Sequence, residues 1–186
     1  NGFPIFSIAR LNADGSFDHT FHSGFSDASN VRALVELPSG KILVGGSFSS
    51  YDGSNCGNFV VLNENGTRDL TYTGVGTNIS SSEINDIQLA AGNKVIIGGY
   101  FSSFNGVLRN GLVRLTSSLQ VDTSFGTNYT GSSVGEFYSI LTFPDGGILV
   151  GGDFENYWGN GASGLIKLTA AGNPDPNFVL YTPAGF

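Results

Sequence analysis

The stretch PSGKILVGGSFSSYDG at residues 38–53 decides the fold, because two later stretches repeat it without a gap. The two copies are AGNKVIIGGYFSSFNG at 91–106 and PDGGILVGGDFENYWG at 144–159. Both steps measure 53 residues, as the glycine pairs at 45/46, 98/99 and 151/152 show. Such a fixed period indicates a repeat architecture in which each repeat is one supersecondary unit.

A second motif follows each of these stretches and keeps the same step. It reads NFVVLNENGTRDLTY at 58–72, NGLVRLTSSLQVDTSF at 110–125 and SGLIKLTAAGNPDPNF at 163–178. One more copy of this motif alone, IARLNADGSFDHTF at 8–21, precedes the others. We therefore expect a single repeat domain over 1–186, made of a half repeat at 1–30, a first repeat at 31–83, a second at 84–136 and a third at 137–186.

Each repeat is predicted to form four short strands. In the first repeat these are VRALVEL (31–37), KILVGG (41–46), NFVVLN (58–63) and a last piece, ending in Asp-x-x-Phe/Tyr, that is an edge strand or a turn. The uninterrupted apolar run of the second strand indicates that both of its faces are covered. Position 61 in the third strand is Val, but its counterparts are Arg10, Arg114 and Lys167, so we expect this position to face solvent in part.

Four strands in repeats of this length predict an all-β fold of β-propeller-like blades. The alternative is an open β-solenoid or a trimeric β-prism stack, which would cover both faces of each sheet equally well. Three and a half blades make an unusual ring. We therefore expect that the chain is part of a longer protein, that other copies or chains complete the assembly, or that the repeats stack openly.

The composition narrows the classes of partner. The formal net charge is −7 and Lys and Arg do not cluster, which argues against binding to nucleic acid. No run of about 18 apolar residues is present, so no insertion into a membrane is expected. Only 12% of residues are charged, and the polar surface must come from Ser, Thr, Asn and Gly. We expect a location outside the cell, at a cell surface or in a virion.

Residues 10–21 (RLNADGSFDHTF) and 38–48 (PSGKILVGGSF) carry a pattern that closely resembles the delta-60 repeat, a β-propeller repeat of similar length. The resemblance spans nearly all of the chain, because the two motifs recur in order at fixed spacing. The third repeat departs from it at Trp158, where the other copies have Asp52 and Asn105. Delta-60 repeats occur in bacterial surface and secreted proteins and in phage tail or fibre proteins. They bring no catalytic residues, so the resemblance implies a fold and a setting.

The search for catalytic and metal-binding residues favours structural interpretations. Asp18, His19, His22 and Ser23 lie too close together in sequence to indicate a catalytic triad, and we expect a capped turn there. The single cysteine, Cys56, is expected to be incidental. The Asx-rich stretches at 12–18 and 63–69 lack the ligand pattern of a calcium loop and are expected to be hairpin turns. The equivalent stretch at 116–122, TSSLQVD, lacks the Asp/Asn-Gly pair altogether.

Carboxylates do not pair in the sequence as the chemistry of a glycosidase requires. The candidates for such a pair are Glu36, Asp86, Glu136, Asp153 and Glu155. Asp52, Asp153 and Glu155 are the alternative sources of oxygen ligands for calcium. We predict that the protein is not an enzyme, and that it has no metal site and no cofactor.

Aromatic loop residues next to Asn, Asp and Ser suit the recognition of sugars, which present apolar C–H faces and hydroxyl edges. The candidate ligand-binding residues are Tyr51, Tyr129, Tyr157 and Trp158, and for Tyr51 and Tyr157 the 53-residue step also favours a packing role. The predicted function is an extracellular, non-enzymatic recognition or structural module. We expect it to be part of a phage tail fibre or a similar appendage that binds a host-surface glycan or protein. A bacterial surface adhesin and a secreted polysaccharide-acting enzyme are the alternatives.

Overall fold

The computed structural model describes residues 7–26, 29–77, 82–126, 135–155 and 162–179. The regular secondary structure of these residues is β, apart from one 3₁₀ turn at Ala91–Asn93. None of their helical segments has the length and hydropathy that a membrane crossing requires. Tyr129, Tyr157 and Trp158 lie outside the described residues.

Each repeat contributes one three-stranded antiparallel sheet with its second strand in the centre. The strands of the first repeat are β1 (Asn30–Glu36), β2 (Ile42–Ser47), β3 (Ser50–Tyr51), β4 (Ser54–Asn55) and β5 (Phe59–Leu62). Those of the second are β6 (Glu83–Ala90), β7 (Lys94–Tyr100), β8 (Ser103–Phe104), β9 (Val107–Leu108) and β10 (Leu112–Leu115). Those of the third are β11 (Glu136–Thr142), β12 (Ile148–Asp153) and β13 (Leu165–Leu168).

Two elements of the first two repeats are very short. The small hairpins β3–β4 and β8–β9 turn at Asp52-Gly53 and Asn105-Gly106, where all four residues have positive φ, as a type I′ turn requires. The predicted fourth strand is reduced to single β-bridges, at Leu11–Phe17, Leu62–Arg68, Leu115–Val121 and Leu168–Pro174. The molecule is thus all-β and built from propeller-like repeats, and the last piece of each repeat is a turn with a one-residue edge.

The two glycines of the pair near the end of each central strand are required for different reasons. A Cβ on the second glycine (Gly46, Gly99 or Gly152) would lie 2.0–2.1 Å from a carbonyl oxygen of the first strand in the same sheet. That strand carries a β-bulge at this point. A Cβ on the first glycine of the first two pairs would instead meet isoleucine side chains of the following repeat, at 2.5 Å for Gly45 and 2.8 Å for Gly98. Close packing of sheet against sheet therefore requires the first glycine.

The sheets stack in sequence order and bury three apolar cores. We call the face of a sheet toward the preceding repeat its leading face, and the face toward the following repeat its trailing face. The trailing face of the first repeat packs on the leading face of the second in the largest core, through Leu43 and Phe59 on one side and Ile87 and Ile97 on the other. The central strand is buried on both faces in the first two repeats, which confirms the sequence prediction.

Position 61 does not face solvent. Val61 and its counterpart Arg114 are both buried. The prediction of partial exposure is wrong for these two repeats, because the position lies on the trailing face and points at the next sheet. Only Arg10 and Lys167, in the half repeat and the third repeat, keep part of their surface exposed.

Candidate functional site

An aspartate holds the turn that ends each repeat. In the half repeat, the backbone N–H and the Oγ1 hydroxyl of Thr20 donate to Asp18 Oδ1 at 2.8 and 2.6 Å. The other carboxylate oxygen pairs with a cation, Arg10 Nε, at 2.7 Å. Asp69, Asp122 and Asp175 repeat this arrangement with Lys41, with Lys94 and Arg114, and with Lys167. The predicted capped turn is thus present in all four copies.

These contacts set the protonation of the carboxylates. Burial acts to raise the pKa of Asp122, but the Ser124 hydroxyl and N–H and the Arg114 guanidinium outweigh it and lower the pKa to about 2. The pKa of Asp18 is lowered to about 2, first by the Thr20 hydroxyl and N–H and then by Arg10. Asp18 and Asp122 therefore keep their negative charge at a pH at which an ordinary aspartate is already protonated.

Two arginines cross the boundaries between repeats. Arg10 spans the first boundary, between the half repeat and the first repeat, and its Nη1 donates to the carbonyl of Glu64 at 2.6 Å. Arg114 spans the third boundary, between the second and third repeats, and donates to the carbonyl of Ala170. Each guanidinium also lies over the aromatic ring of its own turn, 5.1 Å from Phe21 and 4.4 Å from Phe125.

The second boundary, between the first and second repeats, has a different composition. Val61 stands where the other two boundaries have arginine. The facing turn carries Leu119, with a φ of 61°, where the equivalent turns have a glycine at Gly15, Gly66 and Gly172. Leu119 is buried in the same core as Val61. An arginine and a glycine at one boundary are thus replaced by a valine and a leucine at the other.

This exchange goes with the loss of a backbone contact. At the first boundary the N–H of His22 donates to the carbonyl of Asn65 at 2.8 Å, and at the third the N–H of Gly126 donates to that of Ala171 at 3.0 Å. The equivalent bond between Thr73 and Ser118 is not formed, although both residues are described. The second boundary is therefore open at the point where the other two are closed.

A cleft of about 230 Å³ lies at this point. Its walls come from the turn after β1, the aspartate turn of the first repeat and the facing turn of the second, and they comprise Leu37, Ser39, Lys41, Asp69, Thr71, Tyr72, Thr73, Ser117, Ser118, Leu119 and Gln120. Asp69 and Tyr72 are the counterparts of the groups that surround the guanidinium at the other boundaries. The cleft thus occupies the place of a missing arginine.

Four polar side chains of the cleft, all of them exposed, have no partner among the described residues. The side chains of Ser39, Thr73, Ser117 and Gln120 make no hydrogen bond to any described part of the chain. The charges are paired, because Lys41 bonds Asp69 and also donates to Thr71 Oγ1 at 3.3 Å. Burial raises the pKa of Tyr72 to about 12 even though Asn105 donates to its hydroxyl at 2.9 Å. The cleft therefore offers neutral donors and acceptors around one internal ion pair.

A larger depression at the first boundary, of about 460 Å³, differs in this respect. Its polar groups largely bond one another: Arg10 bonds Glu64, and Asn63 and Asn65 bond Thr67. Fewer of its groups remain for a ligand, so the cleft at the second boundary is the better candidate site.

The structure gives a position for one of the four predicted ligand-binding residues. Tyr51 is fully buried. Its hydroxyl donates to the carbonyl of Gly66 at 2.6 Å and its ring packs edge-on against Phe25, with centroids 4.7 Å apart. This is the packing role that the 53-residue step favoured. The ligand-binding hypothesis for Tyr129, Tyr157 and Trp158 concerns residues that lie outside the described ranges and stays a prediction.

The remaining reactive side chains belong to the packing of the first repeat. His22 Nε2 lies 2.8 Å from Asp52 Oδ1, so it pairs across the first boundary and away from Asp18. Cys56 is buried, and burial raises the pKa of its thiol to about 11. Within the described ranges no three His, Cys, Asp or Glu side chains come together as metal ligands would.

Sequence reasoning missed the cleft residues. One signal was visible, because Val61 departs from Arg10 and Arg114 at the same repeat position. A second was the Leu119 that interrupts a column of glycines. Neither departure indicates a site by itself, and the two meet in space only because adjacent sheets face each other.

Comparison with known proteins agrees with the repeat architecture. A family model described as a domain of unknown function (DUF5122) β-propeller matches residues 1–21, 37–72, 93–125 and 144–178. No protein with a curated description matches. A solved structure of a protein of unknown function from Bacteroides caccae is 12% identical, with 89% of this chain and 72% of that chain covered and a TM-score of 0.36. The family match includes the motif of the half repeat and, in all three repeats, the motifs that recur every 53 residues. The chain belongs to the DUF5122 β-propeller family.

Proposed function

We propose that this chain is an extracellular, non-enzymatic recognition and structural module, part of a phage tail fibre or a similar appendage, that binds a host-surface glycan or protein. We also propose that its repeats are delta-60 repeats. The observation that carries it is the cleft at the second boundary, where Ser39, Thr73, Ser117 and Gln120 present hydrogen-bonding groups without a partner in the described chain.

The chemistry of the cleft suits a neutral polar ligand. Hydroxyl and carboxamide groups donate and accept hydrogen bonds without bringing a net charge, as the hydroxyl edge of a sugar requires. The volume of about 230 Å³ is below the roughly 300–1,000 Å³ of pockets that enclose drug-sized molecules. The cleft therefore fits one sugar ring, or one polar side chain of a protein ligand, and a larger ligand would extend over neighbouring loops.

The scaffold supports a non-enzymatic role. The turn aspartates are each engaged by a cation and by an N–H of their own turn. These contacts hold the carboxylates as charged structural caps. Binding at a site on a rigid sheet stack needs no proton transfer from them.

Titration of the isotopically labelled chain with N-acetylglucosamine, galactose and glucose, followed by NMR, tests the proposal. We expect at least one sugar to shift the amide signals of residues 117–120 with millimolar affinity, about −4 kcal/mol. The double variant Ser39→Ala/Gln120→Ala should weaken this binding severalfold. Leu70→Ala is the matched control, because Leu70 is exposed on the same turn as Asp69 but lies outside the cleft.

The outcomes distinguish binding in the cleft from binding at the aromatic loops. Shifts confined to residues 127–134 and 156–161 would move the site to the aromatic loops that the sequence singled out. No shift with any sugar, together with no binding to intact host cells, would leave a purely architectural role. Antibody labelling of the native source then distinguishes a fibre, which labels virions, from an adhesin, which labels the bacterial surface.

A further inference from the structure

Three groups surround each arginine that crosses a boundary. At the third boundary, Asp122 Oδ2 accepts hydrogen bonds from Nε and Nη2 of Arg114, both at 2.9 Å. The ring centroid of Phe125 lies 4.4 Å from the guanidinium carbon, and the carbonyl of Ala170 on the facing turn accepts from Nη1. Arg10 at the first boundary has the same kinds of partner, a carboxylate, an aromatic ring and a carbonyl of the facing turn. The fold therefore repeats one arrangement that holds a guanidinium.

The second boundary keeps these partners but lacks the arginine. Asp69, Tyr72 and Ser117 are the counterparts of the carboxylate, the ring and the residue that supplies the carbonyl, and all three line the cleft. Val61 stands at the arginine position, and no described arginine bonds Asp69. The carbonyl of Ser117 accepts no hydrogen bond from any described residue. The partners of a guanidinium are thus assembled with no guanidinium among them.

These partners are accessible from outside the chain. At the first and third boundaries a backbone hydrogen bond joins the two turns, and the equivalent bond between Thr73 and Ser118 is absent, although both residues are described. Thr73, Ser117 and Ser118 are all exposed. Where the turns are joined, the chain supplies its own arginine. Where they are apart, a guanidinium can reach the same groups from solvent.

The lysine on Asp69 does not exclude a second cation. Lys41 bonds Asp69, as Lys94 pairs with Asp122 at 3.4 Å. The same oxygen of Asp122 nevertheless holds Arg114 at 2.9 Å. A turn aspartate of this fold therefore accommodates an ammonium and a guanidinium together. The net charge of −7 also favours the approach of a cationic ligand.

We propose that the cleft at the second boundary binds the guanidinium of an arginine side chain that a partner protein presents. The inference rests on the proposed function, because it uses the same cleft, and it specifies the protein ligand of that proposal. A guanidinium has five N–H donors in one plane. By analogy with Arg114, Asp69 accepts two of them and the Ser117 carbonyl accepts one. The other two are left for the unpartnered oxygens of Ser39 and Gln120, and the cation lies against Tyr72.

NMR titration of the labelled full chain tests the proposal with three ligands, the Nα-acetyl amides of arginine, lysine and citrulline. Citrulline is the matched control ligand, because its ureido group has the shape of a guanidinium without the charge. Lysine has the charge without the planar fork. We expect arginine to shift the amide signals of residues 69–73 and 117–120 with millimolar affinity, and lysine and citrulline to bind at least about fivefold more weakly. Equal affinity for arginine and citrulline, or shifts confined to other residues, would contradict the proposal.

Two variants change the site in opposite directions. Val61→Arg/Leu119→Gly supplies an arginine from within the chain, as at the third boundary, and should abolish binding of the arginine ligand. Lys41→Ala removes the competing ammonium and should strengthen arginine binding by about threefold to tenfold. The third repeat has Gly147 in place of this lysine and still forms its aspartate turn, so the turn does not depend on it. Leu70→Ala is exposed outside the cleft and should leave binding unchanged.

A gain of affinity cannot result from a failure to fold, so Lys41→Ala keeps the proposal open to refutation even if the double variant unfolds. Arginine binding that Lys41→Ala leaves unchanged, or that survives in a folded double variant, would overturn the proposal. A blocked Gly-Arg-Gly peptide should bind at least as tightly as agmatine. If agmatine binds about tenfold more tightly or better, the ligand is a small guanidine and the assignment to a protein is wrong.

The same titrations distinguish failure of this inference from failure of the proposed function. Sugar-induced shifts at residues 117–120 without any response to arginine would overturn this inference and keep the proposed function. A response to arginine without a response to sugars would support both, with a protein as the ligand. No response to sugars or arginine, together with no binding to host cells, would overturn both.

Discussion

At position 119, the type of side chain depends on a residue of the preceding repeat, Val61. The φ of 61° at Leu119 is a left-handed conformation that costs a residue with a side chain about 1–2 kcal/mol. The buried side chain offsets this cost by filling the core beside Val61 and Tyr72. At the boundaries where an arginine crosses, glycine adopts the same conformation freely, and a Cβ on Gly172 would lie 2.6 Å from the ring of Phe125. The φ at this turn position is thus positive in all four copies, and the side chain there depends on whether the facing repeat presents arginine or valine.

A double-mutant cycle measures this dependence. Leu119→Gly alone should destabilise the fold by about 2–4 kcal/mol, because it leaves a cavity in the core. Val61→Arg alone should also destabilise it, because the guanidinium meets Leu119. Together they rebuild the arrangement of the third boundary, and we expect the pair to be more stable than the sum of the single effects by about 1–3 kcal/mol. Urea unfolding gives all four free energies, and additive effects would contradict the interpretation.

The aspartate turns give the stability a defined dependence on pH. The pKa of Asp122 is about 2 in the folded chain against an ordinary value of 3.8, so the folded state binds the proton more weakly than the unfolded state. Its contribution to stability is therefore complete above about pH 4 and is lost as the pH falls through about 2. Asp18 behaves in the same way.

Thermal unfolding between pH 2 and pH 6 checks this dependence. Asp122→Asn should lower the melting temperature at pH 6 and flatten its decline below pH 4. Ser124→Ala keeps the carboxylate but removes a hydroxyl donor, so the decline should begin at a higher pH. A decline of equal steepness in wild type and Asp122→Asn would mean that other groups dominate.

At the scale of the element, the central strand illustrates what the sequence can reveal. Its apolar run, its period and its glycine pair predict a strand covered on both faces, and all three are local features. The two reasons for the glycine pair are not local. Gly99 is required by a bulge in its own sheet, and Gly98 by Ile140 of the next. The cleft was unpredictable for the same reason, because Val61 and Leu119 lie 58 residues apart in the sequence and on different sheets.

Valine substitutions distinguish the two kinds of glycine. Gly99→Val and Gly152→Val should both destabilise strongly, because a carbonyl oxygen lies 2.1 Å from the new Cβ. Gly98→Val should cost about 1–3 kcal/mol or more through overpacking against Ile140. Gly151→Val should change stability by no more than about 0.5 kcal/mol, as expected away from packed contacts. Denaturant melts of the four variants decide the matter, and a large loss for Gly151→Val would mean that its face is already covered.

At the scale of the whole molecule, the free energy of unfolding is approximately the sum of a term for each sheet and a term for each boundary between neighbouring sheets. Each sheet is stabilised by its own packing and by its boundaries, as in other repeat proteins. The second repeat is the only one of the three complete repeats whose two faces both pack against another complete described repeat. The first has only the half repeat on its leading side, and the third has an open trailing face. Cooperativity should therefore be strongest at the centre of the stack.

Hydrogen exchange followed by mass spectrometry tests this gradient. We expect the amides of β7 to exchange most slowly and those of β12 at least about tenfold faster, because opening the end of the stack breaks one boundary instead of two. Gly98→Val, which weakens the third boundary, should speed exchange in β12 more than in β2. Uniform exchange across the three sheets would indicate a single cooperative unit.

The pairing of residues across boundaries constrains how the gene can gain or lose repeats. Loss of the first repeat alone would bring Arg10 against Leu119, and loss of the second alone would bring Val61 against Gly172, so each would create a mismatch. Loss of both together would bring Arg10 against Gly172, which is the matched combination. Unequal crossing-over would therefore be tolerated in steps of two repeats rather than one, and the side chains of the stack would record its history of duplication as an alternation.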